Sequence, residues 1–421
     1  MNETSFKEAL SVWARIGLLS FGGPAAQIAL MHRVLVEEKK WLSDQRFLHA
    51  LNFCMLLPGP EAMQLATYAG WKLHGWRGGL VAGLLFVLPG ACVVLILSML
   101  YVAFGAVPWV IALFFGIKAA VLAIVIEALL RVARRALKLA SDWWIAAAAF
   151  VALFAFATPF PLVVLAAALI GLFRTTLSSP VAAPPLIPIR GRLATLSLWL
   201  GLWLVPLIAL WMTLGDGHVL TGIATFFSKL AIVTFGGAYA VLAYLAQEVV
   251  QTRGWLGPGE MVDGLGLAET TPGPLILVIE YVAYLAGHRF AGGIAGGLAG
   301  AAISLWMTFV PCFLWIFVLA PYIDYLRAMP RLSGALAAIT AAVVGVILNL
   351  SVWFGLHVLF RQVEHFERGL LDIWLPHPSS LDILSLLLVL GSSLLLLKMK
   401  LSVPVVLAAS ALAGLLLRGL L

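Results

Sequence analysis

Charge is scarce in this 421-residue chain: 11% of it is charged and 63% hydrophobic, with a mean hydropathy of +1.06. Soluble domains carry roughly a quarter charged residues, so a soluble fold is excluded, and little polar surface is left for extramembrane domains. Cysteine is scarce too. Cys54, Cys92 and Cys312 lie in apolar segments without Cys-x-x-Cys or Cys/His spacing, so they read as small core hydrophobes, with neither disulfide nor metal expected. No phosphate-binding loop and no Ser/His/Asp set is present, which argues against ATP-driven transport and against hydrolysis. No cofactor is expected. Nor is a cleavable leader, because the first apolar run is broken at Phe21-Gly22-Gly23 and followed by a charged helix. The net charge of +7 does not imply nucleic acid. The basic residues sit in short loops, where they set membrane orientation.

What the chain does have is long apolar runs. They occupy about 79–104, 107–130, 194–214, 291–320, 332–358, 380–397 and 402–418, each long enough to cross a bilayer. Two tighter runs, 143–158 and 159–174, flank the turn Thr158-Pro159-Phe160-Pro161. Residues 175–192 are Pro-rich and end in Arg190 and Arg192, which marks a linker.

Four further segments, 5–31, 48–72, 219–246 and 265–288, carry a Gly/Pro break near the middle. Phe21-Gly22-Gly23 recurs as Phe235-Gly236-Gly237, and Pro58-Gly59-Pro60 as Pro272-Gly273-Pro274, both at an offset of 214. Trp41/Trp255, His74/His288 and Gly78-Gly79/Gly292-Gly293 keep the same offset. The identities fall on residues that fix backbone shape, as expected of a transporter built from two repeats around broken helices. The expected fold is an all-α polytopic membrane protein of two inverted repeats, with re-entrant broken helices meeting at midmembrane. Its parts are an N-terminal repeat over 1–174, a cytoplasmic linker plus unpaired transmembrane helix over 175–218, and a C-terminal repeat over 219–421.

Charge decides between crossing and dipping. The loop between the two motifs holds Arg33, Lys39, Lys40 and Arg46 in the first half, but only Arg253 amid Glu248, Glu260 and Asp263 in the second. Re-entrant hairpins put the first loop inside and the second outside; Lys72, Arg77, Arg131, Arg134, Arg135, Lys138, Arg174, Arg190, Arg192, Arg327, Arg331, Lys398 and Lys400 then also fall inside, and Arg253, Arg289, Arg361, Arg368 and Arg418 outside. That satisfies the positive-inside rule almost throughout, with the N-terminus expected to be cytoplasmic and the C-terminus external. The segment 33–50 is expected to be an amphipathic surface helix. Trp41, Trp76, Trp143, Trp255 and Trp374 are expected to form an interfacial belt.

Irregular backbone at membrane depth must be buried in protein or line a watery cavity, so the breaks are expected to converge on a site. The half-helices restarting after Gly23, Pro60, Gly237 and Pro274 point N–H groups and positive dipole ends at the breaks, which suits an anion. Arg15 and Lys229 keep the 214 offset, each six residues before its Phe-Gly-Gly. Cations in apolar segments are costly, and these two form a candidate clamp for a doubly charged oxyanion, with snorkelling to the interface as the alternative. Ser20, Gln27, Asn52, Gln64, Thr234 and Tyr239 add neutral donors.

Glu61, Glu269, Glu280 and Lys118 are the candidate coupling groups. Glu61 caps the half-helix after Pro-Gly-Pro, and Glu269 precedes the second Pro-Gly-Pro; their repeat partners, Leu275 and Met55, are apolar. Glu280 aligns with Ala66. Proton coupling competes with a structural role in caps and ion pairs. Glu127 is expected to pair with Arg131 across one helical turn. At Glu61 an arriving dianion favours proton uptake, which moves anion and proton in the same direction.

The strings SFGGPAAQIALMH (20–32), LLPGPEAMQLATYAGWKLHGWRGGL (56–80), FVLPG (86–90), TFGGAYAVLAYL (234–245) and TTPGPLILVIEYVAYLAG (270–287) resemble the chromate ion transporter family in its long, two-domain form. The resemblance implies an inner-membrane exporter of chromate, with sulfate as its structural mimic, driven by the proton or electrical gradient. By motif it implies functional positions at Phe21, Gly22, Gly23, Gln27, His32, Pro58, Gly59, Pro60, Glu61, Gln64, Arg77, Phe235, Gly236, Gly237, Pro272, Gly273 and Pro274. Ala243 departs from a proline often found there. The residues by themselves reach only an anion transporter, since tetrahedral dianions of similar size offer the same oxygens. The alternatives are a sulfate or other anion permease, a channel, and a membrane-embedded lipid-phosphate enzyme using Glu61 as base. The expected partners are the oxyanion and the bilayer, with protons as candidate coupled ions and no nucleic acid; a homodimer is left open.

Overall fold

Helices carry nearly all of the chain in the computed structural model, which describes residues 4–174, 193–235, 238–323, 329–369 and 371–419. The linker at 175–192, with Arg190 and Arg192, lies outside the described residues, as do Gly236, Gly237 and Arg327. The chain divides into two compact units, each drawing on both halves of the sequence. One comprises Met1–Met99, Leu177–Ala238 and Thr271–Leu332; the other comprises Leu100–Thr176, Tyr239–Thr270 and Ser333–Leu421.

In the first unit, α1 (Phe6–Leu19) and α2 (Gly23–His32) flank the first break, and a π turn (Arg33–Glu38) leads to α3 (Asp44–Cys54). Next comes α4 (Glu61–Phe104), which is two arms joined by a tight turn: His74 and Gly75 leave the helical region, with Gly75 at φ 61°. The arms fold back on each other at small residues. A Cβ on Gly70 would lie 2.3 Å from the Gly78 carbonyl, and Gly83 faces Thr67. After α5 (Pro108–Ala136), α6 (Ala140–Phe156) and α7 (Phe160–Arg174), helix α8 (Leu193–Leu214) buries only Trp203, whose indole N–H donates to Ser228 of α9 (Val219–Val233) at 3.1 Å.

The second half repeats the fold-back. After α10 (Ala238–Ala246) and α11 (Pro258–Thr270), helices α12 (Val278–Phe290) and α13 (Gly293–Leu319) pack antiparallel, Gly287 against Gly296 and Ala283 against Gly300. Helix α1 runs alongside the second arm of α4 in the same direction. The His74 ring bonds the Thr4 carbonyl at 2.8 Å, and further along Gly17 touches Leu85. Helix α9 keeps the same sense beside α13, with Ile223 at Gly300 and Ser228 at Met307. The second arm of α4 crosses α13 in the opposite sense, with Gly79 on Phe317 and Gly83 on Phe313.

The other unit holds α5 (Pro108–Ala136), α6 (Ala140–Phe156), α7 (Phe160–Arg174), nearly all of α10 (Ala238–Ala246), a π turn (Gln247–Thr252) and α11 (Pro258–Thr270). It also holds most of α14 (Pro330–Leu359), then α15 (Ile383–Ser393) and α16 (Val403–Gly419). Between α14 and α15 strands β1 (Val363–Arg368) and β2 (Leu371–Pro376) form an antiparallel hairpin, Val363 opposite Pro376. The sequence reading had no strand there. The available signal was Gly369, a turn residue between two short segments that lie outside the long apolar runs.

Among the described residues, five helices are long and apolar enough to cross a membrane, which makes the chain an all-α, multi-pass membrane protein. The helices beside the breaks are shorter. Helices α1, α2, α9, α11 and α12 have 14, 10, 15, 13 and 13 residues. At 1.5 Å per residue they reach about 15–23 Å, short of a hydrocarbon core of about 30 Å.

Three expectations are corrected. Residues 33–50 are not one surface helix: the π turn ends at Glu38, Lys40 adopts a left-handed φ of 54°, and a new helix starts at Asp44. Trp255 is buried against the protein, so it does not present its ring to lipid as a belt residue would, and it carries the Arg253 guanidinium over its ring. Cys92 is exposed, whereas Cys54 and Cys312 are buried as small hydrophobes.

Candidate functional site

Each break leaves orphaned polar groups: the carbonyls ending one helix and the N–H groups starting the next. Helix α1 ends at Ser20, whose Oγ turns back to the Ile16 carbonyl at 2.7 Å. Helix α9 ends at Thr234, whose Oγ1 does the same to Leu230. The backbone carbonyls of Ser20 and Thr234 are answered from elsewhere. Gly59 N–H donates to Thr234 O at 2.9 Å, and Gly273 N–H donates to Ser20 O at 2.7 Å. The two bonds are one bond repeated at the 214 offset, with the halves exchanged. Both glycines have positive φ, 120° and 91°, which a residue with a Cβ rarely adopts. That conformation, fixed by a proline on each side, turns the N–H toward the opposite half.

Side chains brace each junction. Gln27 is fully buried, and its Nε2 donates to Gly273 O at 2.6 Å and to Ser20 O at 3.5 Å. Gln64, also fully buried, donates Nε2 to Pro58 O at 2.7 Å. The Oε1 atoms of both are buried and have no hydrogen-bond partner among the described residues. Beneath the second Pro-Gly-Pro lies Gly90, where a Cβ would sit 2.2 Å from Pro272 O. Beneath the first lies Cys312, whose Sγ would be 2.8 Å from a Cβ on Gly59. Gly90 and Cys312 each follow a mid-helix proline, Pro89 and Pro311. Sequence reasoning missed this pair because its offset is 222, eight more than that of the breaks.

The structure thus brings Gln27, Pro58, Gly59, Pro60, Gln64, Pro272, Gly273 and Pro274 together with the ends of α1 and α9. Phe21 is exposed and Phe235 half-buried beside them, and Gly22 and Gly23 have φ of 83° and 75°. With the Pro-Gly-Pro glycine N–H groups spent on carbonyls, an anion would meet the first-turn N–H groups of α2 and α4. Glu61 opens α4 and is half-buried. Glu280, on α12, is 1% exposed, and its Oε2 has no partner among the described residues. Arg15 is not drawn into the junction: it lies on an exposed face of α1, paired with Glu38 at 3.2 Å. Lys229 is likewise exposed. His32 bridges Asp44 at 2.7 Å and Glu37 at 3.2 Å, and Arg77 lies over the Trp76 ring.

The remaining candidates form two clusters in the other unit. Glu269, 5% exposed, accepts from Tyr239 Oη at 2.9 Å. The expected Glu127–Arg131 pair forms on α5. Lys118 pairs with Asp263 at 3.3 Å, and Asp263 also accepts from Tyr101 Oη at 2.8 Å. Asp263 had been read as a loop charge, but it is buried in α11. The available signal was Lys118 itself, since a mid-span cation calls for a counter-ion.

The chromate transporter family model matches residues 7–172 and 221–415, and the chain belongs to that family. It is 30% identical to a chromate transport protein of Cupriavidus metallidurans, over 98% of this chain and 93% of the relative. It is 31% identical to a chromate transport protein of Pseudomonas aeruginosa, over 82% and 79%. It is also 27% identical to an uncharacterized transporter of Methanocaldococcus jannaschii, over 85% and 86%. No solved structure matches.

Proposed function

We propose that this chain is a non-enzymatic transporter that exports chromate, or a sulfate-like tetrahedral oxyanion, across the inner membrane, and that its two halves are inverted repeats meeting at the paired breaks. The observation carrying this reading is the exchanged pair Gly59 N–H to Thr234 O and Gly273 N–H to Ser20 O. The opposed senses of α1 and α9, each parallel to one of two antiparallel partners, support the inversion. Chromate comes from the relatives' names. Discontinuous helices aimed at a midmembrane site are the usual device of secondary transport.

An inside-negative potential already drives anion export: about 2.3 kcal/mol per charge per 100 mV, hence about twice that for a dianion. Proton coupling therefore serves direction more than energy, with Glu61, Glu269, Glu280 and Lys118 as its candidates. Arg15 and Lys229 supply positive charge on the approach to the breaks. The test is chromate uptake into inverted vesicles, with sulfate as competitor, under a clamped potential and with or without a pH gradient. Uptake that follows the potential is expected. Uptake no greater than in vesicles lacking the protein would sink the reading. Arg15→Gln and Lys229→Gln are each expected to weaken apparent affinity by removing positive charge from the approach, an effect that shrinks as salt is raised; wild-type affinity in both would make them purely interfacial. Glu61→Gln separates a cap, which leaves the pH dependence intact, from a coupling group, which removes it.

A further inference from the structure

The two halves match at their breaks but differ at one pair of side chains. Tyr239 is the second residue of α10, which restarts after the second Phe-Gly-Gly; Glu269 is in the last turn of α11, which leads into the second Pro-Gly-Pro. Their 2.9 Å hydrogen bond joins the two ends of one hairpin at its mouth. In the first half the equivalent positions are Ala25 and Met55, which can form no such bond. Glu269 is 5% exposed and Tyr239 is half-buried.

A phenol donating to a carboxylate makes a charge-assisted bond, roughly twice as strong as a neutral one. The other charges on the packed elements are accounted for. Arg131 and Glu127 on α5 are within electrostatic reach of Glu269 but bind each other. Lys118 is held by Asp263, Glu260 lies at the far end of α11, and Arg418 on α16 is held by Asp382. Tyr239 is therefore the one direct side-chain hydrogen-bond partner of Glu269 among the described residues.

We propose that Tyr239 is a positioning residue for Glu269, holding the second hairpin closed while the carboxylate is ionised and releasing it when Glu269 takes a proton from water, so that one half of the transporter answers to pH and the other does not. This rests on the transport reading, which makes hairpin movement meaningful. A first half without the tie keeps its hairpin geometry at every pH.

The test uses dicyclohexylcarbodiimide, which modifies protonated buried carboxyls, with the Glu269 peptide followed by mass spectrometry across pH in the purified full chain. Wild-type labelling is expected to fall as pH rises. In Tyr239→Phe the carboxylate loses its donor, and the midpoint is expected to move up by roughly one unit or more. The pH profile of anion flux is expected to move with it, and Tyr239→Phe is expected to add nothing in a Glu269→Gln background. An unmoved midpoint overturns the proposal. So does wild-type labelling of Glu269 that is the same at every pH, a result that needs no variant to fold. Labelling that behaves as expected in a protein with no chromate flux would instead sink the transport reading and leave the tie standing.

Discussion

Gly90 and Cys312 show how far one atom matters at this site. They occupy corresponding places under the two Pro-Gly-Pro turns, yet one is a glycine pressed against the Pro272 carbonyl and the other carries a side chain bonded to Thr308 O at 3.3 Å. Gly90→Ala places a carbon 2.2 Å from a backbone oxygen, which only backbone movement relieves. It is expected to lower the thermal midpoint of the purified protein sharply, by the equivalent of roughly 1–3 kcal/mol or more, and to abolish transport. Cys312→Ala removes one buried sulfur and is expected to cost about 1 kcal/mol, with transport retained. If the two variants were equally mild, the tight packing of the Gly90 junction would be irrelevant to function.

At the scale of elements, the ends of helices carry the polar chemistry. Asp382 caps α15, accepting from Leu384 N–H at 3.1 Å and Ser385 N–H at 3.2 Å. The same carboxylate binds Arg361 at 3.0 Å and Arg418 at 2.8 Å, so it ties the start of α15 to the end of α16. Burial pushes its pKa up, but the Ser385 N–H and the two guanidiniums outweigh burial and hold it below the ordinary 3.8. With the folded value depressed, its stabilisation is complete above the unfolded value and disappears as pH falls through the folded one. Asp382→Asn is therefore expected to lower the thermal midpoint at neutral pH, by the equivalent of about 1–3 kcal/mol, and to match wild type in strong acid. A deficit that stays constant with pH would mean the cap, not the charge, is what matters.

For the whole molecule, the question is which way the halves face. The loop after α2 carries Arg33, Lys39, Lys40 and Arg46, and the corresponding loop after α10 carries Arg253, bound to Glu248 at 2.9 Å. The proposed inversion predicts a cytoplasmic first loop and an external second one. A single cysteine at Arg46, exposed on α3, is expected to react with a membrane-impermeant maleimide in inverted vesicles and not in intact cells. Labelling from outside alone would reverse the orientation and remove the charge argument for hairpins. The same experiment at Arg253 is expected to give the opposite result.

The sequence by itself determined the class, the helices and the breaks. An apolar run has one way to satisfy its backbone in lipid, and Gly and Pro mark where it must stop. The runs at 107–130, 194–214 and 332–358 became α5, α8 and α14 for that reason. The 214-residue offset already contained the pairing of breaks, because backbone-fixing residues act locally. Only the tertiary structure decided which break answers which: Gly59 could have bonded its own half, and it bonds Thr234 of the other. It also decided the partners of the charges, giving Arg15 to Glu38, Lys118 to Asp263 and Glu269 to Tyr239. These are contacts between residues far apart in the chain, set by how helices pack, and no local spacing encodes them.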